Sequence, residues 1–152
     1  MKLVLVVLFS LSAFAQLPNS KRTPGAIRTT SSAEICAPSF RTKPFRKTTK
    51  QMKQQVCAWY GVKKCPQQGT LEIDHLVPLE LGGKDSTANL WPEFSQYADH
   101  SPGFHIKDKL ENELKRKVCA REMKLTDAQT CIRGNWISCY RRVFRKNFRK
   151  KP

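Results

Sequence analysis

The first apolar run, Leu3 to Leu11, is interrupted only by Ser10 and stops at Ser12-Ala13-Phe14-Ala15. Behind Lys2 and ahead of a small-x-small site, such a run is a secretory signal, residues 1–15, cut before Gln16. It is too short for an ordinary transmembrane helix, and no second such stretch follows. Residues 16–32 are rich in Pro, Ser, Thr, Arg and Gly, a composition that predicts a flexible leader. Periodic patterns follow. Thr48 or Thr49 can cap a helix running to about Tyr60, with Met52, Val56 and Trp59/Tyr60 at helical spacing and Gly61 at its end. Thr70, Leu71 and Ile73 predict a short strand ending at Asp74 and His75, and Leu76, Val77, Leu79 and Leu81 form another apolar run closed by Gly82-Gly83. Strand alternation sends Asp74 and His75 to opposite faces unless the strand bends, and Pro78 with the paired glycines places a bend or an end nearby. From Trp91 to Gly103 no period survives, which predicts a loop with His100 at the surface.

From about Phe104 the period becomes helical, and Ile106, Leu110, Leu114 and Val118 form one stripe. At about 100° per residue, Lys107 lies within that stripe, Glu111 on its edge and His105 nearly opposite. A Lys and a Glu one turn apart on the buried side read either as a functional cluster or as an ion pair with snorkelling stems. Thr126-Asp127-Ala128-Gln129 fits a capping box for a helix through about Arg133. Trp136, Tyr140, Phe144 and Phe148 then predict a last helix after Gly134 and Asn135, docked to about Phe144 and followed by a basic tail, residues 145–152.

Charge changes the picture. The net charge of +16 loses only Lys2 on export, and it implies a polyanionic partner, nucleic acid or an anionic membrane surface. Arg41 to Lys53 supplies one basic cluster, in which Lys47, Lys50 and Lys53 either meet phosphates or make a solvated face; Arg141 to Lys151 supplies another. The 6 cysteines of an exported chain, with no Cys-x-x-Cys pair among them, predict three disulfides rather than a zinc site. Cys57 with Cys65 is the favoured pair, since Gly61 lets the segment fold back; the other pairings are not readable. The expected protein is secreted or periplasmic, monomeric and without stable membrane insertion.

Asp74-His75-Leu76-Val77-Pro78-Leu79, Gly82-Gly83 and Asn89-Leu90 resemble the HNH endonuclease motif. With Lys107-Asp108-x-x-Glu111 and Ala128-Gln129, the chain is similar to a secreted bacterial branch of that family over roughly Gly25 to Phe144. The resemblance implies an α+β chain whose core is a ββα-metal unit, a β-hairpin and a helix around one divalent ion, with additional helices and disulfides, spanning 33–144. It further implies that His75 is the general base, Asp74 a metal ligand and Asn89 the residue fixing the loop that aims His75. The residue chemistry agrees with phosphodiester hydrolysis: an imidazole of ordinary pKa near 6.5 can take a proton from water. A hard carboxylate oxygen with waters and phosphate suits Mg²⁺ or Mn²⁺. Lys107 is expected to add charge at the phosphate. The third metal ligand stays open between His105 and Glu111, with Glu111 in the better helical phase. DNA is the expected substrate, with RNA open. Two other readings stand beside this one: a cationic protein that binds nucleic acid without cutting it, and a membrane-active antimicrobial factor for which Asp74 and His75 are dispensable.

Overall fold

The computed structural model describes residues 17–97 and 102–148, the last three without their side chains. The expected signal segment, His100 and residues 149–152 of the basic tail lie outside the described residues. The protein is α+β: a two-stranded antiparallel sheet, several helices and three disulfides.

Four α-helices form among the described residues, three of them where the periodicity places helices and the first where none was expected. A short helix α1 covers Ser32–Ile35, and α2 covers Lys50–Trp59. Thr49 is the cap of α2, its hydroxyl accepting from the Met52 N–H at 3.1 Å, and Gly61 leaves the helix with φ 69°. Val56 and Cys57 carry its buried face; of the two residues offered for the end of the stripe, Tyr60 packs against the core and Trp59 is 37% exposed. Helix α3, Phe104–Cys119, buries Leu110, Leu114 and Val118 against α4, Leu125–Phe148. Each such leucine contributes about 1.5–3 kcal/mol by leaving water. Helix α4 breaks at Asn135 (φ −148°, ψ 97°), whose side chain accepts from the Ser138 N–H at 2.9 Å and so caps the second half. Cys131 and Cys139 bracket the break. In a straight helix their Cα atoms would stand about 12 Å apart, and the kink brings them to 5.3 Å so that the disulfide closes.

The predicted capping box does not form. The helix already starts at Leu125, and the Gln129 amide instead donates to Thr29 O and Leu81 O, both at 2.8 Å. A buried amide that can satisfy two carbonyls there has more to gain than at a helix end open to water.

Strand β1 spans Leu71–His75 and pairs with β2, Leu90–Phe94, with Asp74 opposite Trp91 and Glu72 opposite Glu93. Strand β2 lies where a loop was expected. Pro92 is tolerated because Leu76 N–H bonds Asn89 O at 2.8 Å and Ser95 N–H bonds Thr70 O at 2.9 Å. Alternation from those pairs makes Ile73 and Pro92 a pair that exchanges no bonds, so the missing N–H faces outward.

The segment expected as a flexible leader is packed from Leu17 onward. Gly25 N–H and Ala26 N–H bond Ala88 O, Arg28 N–H and Thr29 N–H bond Gly82 O, and Lys84 N–H bonds Ala26 O. Thr23 is buried between Leu90 O and the Tyr60 hydroxyl. The interaction is mostly backbone to backbone, which side-chain composition does not reveal.

Candidate functional site

The connection from β1 to β2, residues 76–89, is bent back on itself. Leu79–Leu81 and Thr87–Asn89 each make a turn of 3₁₀ helix. Gly82 takes φ 78°, and a Cβ on Gly83 would stand 1.9 Å from Val77 O, so neither position admits a side chain cheaply. Asn89 is fully buried and ties the two limbs together: Oδ1 accepts from Val77 N–H at 2.9 Å, and Nδ2 donates to Val77 O at 2.8 Å and Lys84 O at 2.9 Å.

Within β1 the pleat sends the neighbours Asp74 and His75 to opposite sides, and they take different partners, Lys107 and Asp85. His75 is buried and its Nε2 lies 2.8 Å from Asp85 Oδ1. Asp85 also accepts from Lys47 N–H and from the Thr48 hydroxyl, joining the entrance of α2 to the imidazole. Burial opposes the Asp85 charge, but these hydrogen bonds hold its carboxyl below the usual range. An ionised carboxylate can only accept, so Nε2 carries the proton and Nδ1 keeps a lone pair. Burial lowers the His75 pKa below its ordinary 6.5 despite the Asp85 and Asp74 charges, so the ring is neutral at neutral pH. Asp85 is the site residue that the motif did not flag, because an Asp after Gly-Gly-Lys is what any turn carries.

On the other side, Asp74 meets α3. Lys107, 0% exposed, donates from Nζ to Asp74 Oδ2 at 2.6 Å, to His75 O at 2.8 Å and to Glu111 Oε1; Glu93 Oε2 is 3.7 Å away. An ammonium has three donors, and all three are used. The Lys107 ammonium thus lies among three carboxyl groups, Asp74, Glu111 and Glu93. Burial disfavours its charge, yet Asp74, Glu111 and Glu93 hold its pKa well above the ordinary value. Burial likewise works against Asp74, but Lys107 wins and keeps that carboxyl below the usual range. Burial raises Glu111 to about 8 against the pull of Lys107, and raises Glu93 well above the ordinary range. Lys107 is thus the cation around which Asp74, Glu111 and Glu93 gather, and burial opposes charge on all three acids.

His105 is exposed, its ring edge-on to Phe104 at 4.3 Å, and no described contact links it to Asp74 or Glu111. Glu111 and Asp74 share Lys107, so those two, and not His105, are brought together.

A divalent ion is what the resemblance requires. Among the described residues no three His, Cys, Asp or Glu side chains gather as a metal group. The donors at hand are Asp74, whose side chain is 25% exposed, and Glu111, 14% exposed beside a cleft of about 310 Å³. Asp74 and Glu111, completed by waters and a phosphate, are a donor set that Mg²⁺ and Mn²⁺ accept, provided that Glu111, raised to about 8 by burial, gives up its proton and Lys107 yields its bonds to both as the ion binds. The cleft is lined further by Arg46, Glu80 and Asp108.

No family model matches the chain, and neither does any curated protein or solved structure.

Proposed function

We propose that the chain is an exported, metal-dependent endonuclease of the HNH type, built on a ββα-metal core of β1, β2 and α3. The observation that carries the reading is the His75–Asp85 pair one residue along the chain from an Asp74 carboxylate kept ionised by Lys107. Asp85 holds the imidazole in the tautomer with a free Nδ1, and burial keeps it neutral, the state a base needs to take a proton from water. Asn89 clamps the connection that carries Asp85. Asp74 and Glu111 would hold Mg²⁺ or Mn²⁺, which when bound supplies Lewis-acid charge at the phosphate. Lys107 holds those two carboxylates in register. The net charge of +16 suits a polyanionic substrate. Three disulfides are compatible with an extracellular or periplasmic protein, and no helix among the described residues is long and apolar enough to cross a membrane.

A second reading, nucleic-acid binding without hydrolysis, draws on the burial of His75, which is 3% exposed, and on the engagement of Asp74 by Lys107. Incubating the oxidised protein with plasmid DNA and with RNA, in Mg²⁺, in Mn²⁺ and in EDTA, separates the two. Nuclease action requires metal-dependent cleavage that His75→Ala abolishes with the fold retained. Retention without cleavage under every condition selects the second reading.

A further inference from the structure

Between Glu34 and Glu72 the chain contains no Asp or Glu but eight cations: Arg41, Lys43, Arg46, Lys47, Lys50, Lys53, Lys63 and Lys64. None of their side chains forms an ion pair among the described residues, whereas Arg116, Lys117 and Lys107 are all paired. Unpaired like charges on one stretch repel, and a polyanion lying on them relieves that cost.

The stretch also has a seat for such a partner. A cleft of about 320 Å³ opens between α2 and the segment closed by the Cys57–Cys65 disulfide, lined by Thr48, Lys50, Lys53, Gln54, Cys65 and Pro66. Its titratable lining is entirely cationic, and the Gln54 amide adds a neutral donor. Thr48 connects it to the candidate site, because its hydroxyl donates to Asp85, which holds His75. Two residues earlier, Arg46 lines the cleft of about 310 Å³ that contains Glu111. The short segment Arg46–Thr48 is thus a ridge with the carboxylate-bearing cleft on one side and the cationic cleft on the other.

We infer that the acid-free surface of residues 41–64 is the track for one strand of nucleic acid, and that the Lys50–Lys53 cleft seats a phosphate flanking the position over the ridge. The inference rests on the nuclease reading only for the identity of the strand. Lys50 and Lys53 neutralise the phosphate and Gln54 donates to an oxygen; no base edge is read, so binding is tolerant of sequence.

The test measures binding, not hydrolysis. The oxidised protein is titrated in EDTA with a fluorescently labelled single-stranded oligonucleotide of mixed sequence over a series of salt concentrations. Lys50→Gln/Lys53→Gln is compared with Lys109→Gln/Lys124→Gln, which removes equal charge from exposed, unpaired positions elsewhere. Thermal melts confirm that both variants fold. Loss of the one seated phosphate should make the plot of log K against log salt shallower by about 0.7, with affinity down roughly tenfold at low salt, and leave the control slope unchanged. Lys50→Arg/Lys53→Arg should restore the wild-type slope. An unchanged slope in the cleft variant, an equal loss in the control, or no binding by the wild type overturns the proposal. Absent hydrolysis with the slope difference intact would refute the nuclease reading alone; hydrolysis with an unchanged slope would refute the track alone.

Discussion

Replacing Lys107 with Met removes one charge and almost no volume, so it tests the carboxylate cluster without opening a cavity. The ammonium is 0% exposed and serves Asp74 at 2.6 Å, His75 O at 2.8 Å and Glu111, with Glu93 at 3.7 Å. Removing one partner of a buried pair leaves the other charge uncompensated and typically costs about 3–5 kcal/mol. Against a typical total of about 5–15 kcal/mol this is a large share. The dependence on pH has a definite sign. In the wild type the Asp74 pKa is depressed, so its charge adds stability above the ordinary 3.8, and that stability is lost as pH falls through the folded value. Without Lys107, burial, the largest influence, is opposed only by the His75 backbone hydrogen bond and ring charge, so the Asp74 pKa rises above 3.8 and the folded state must take up a proton that the unfolded chain does not hold. The penalty should therefore be largest near pH 8 and shrink toward about pH 5, with a slope of up to about 1.4 kcal/mol per pH unit for each proton taken up. Urea unfolding followed by fluorescence of the buried Trp91 and Trp136 reads this directly. Lys107→Met/Asp74→Asn should recover part of the loss. A penalty under about 1 kcal/mol, equal at both pH values, would refute the assignment of Lys107 as the counter-charge.

Asn89→Ala should cost about 2–4 kcal/mol in thermal or urea unfolding, since Val77 N–H, Val77 O and Lys84 O all lose a buried partner; a change within about 0.5 kcal/mol would mean that water replaces the amide. Asp85→Asn should leave the fold intact but lower turnover about 100-fold with KM little changed, because an Asn amide can turn the imidazole to the wrong tautomer. Equal turnover in the two proteins across the pH range would remove Asp85 from the site. Activity titrated against Mg²⁺ should show a strongly raised metal requirement for Glu111→Gln and a mild effect for His105→Ala, and the opposite order would hand the ligand role to His105.

The helices were legible because their apolar residues recur at helical spacing, and the wheel placed Lys107 inward, Glu111 at the edge and His105 outward, where they are found. The two-residue period of a strand sends Asp74 and His75 apart, but Pro78 and the paired glycines argued for a bend or an end nearby, so their separate partners, Lys107 and Asp85, were not settled by the sequence. Strand β2 was not legible, since Pro92 and the buried Glu93 break the alternation that marks a strand. Glu93 is interior only because Lys107 comes to it from a helix that follows in sequence. The packing of residues 17–30 was hidden for a different reason: carbonyls and amides make most of its bonds, and every residue type has those. Asp85 acquires its role from Lys47 N–H, Thr48 and His75, which a linear reading cannot bring together.

The disulfide between Cys36 and Cys119 spans 83 residues, and every residue of the candidate site, from Asp74 to Glu111, lies inside the ring it closes. By chain-entropy arithmetic a ring of this size removes about 4.5 kcal/mol of freedom from the unfolded chain, against roughly 2.5 for each of the two short rings. A chain whose cysteines are still reduced lacks that constraint. On the nuclease reading, the bridge makes the hydrolase least competent while its cysteines are reduced and most competent once they are oxidised, so that covalent closure sets the timing of activity.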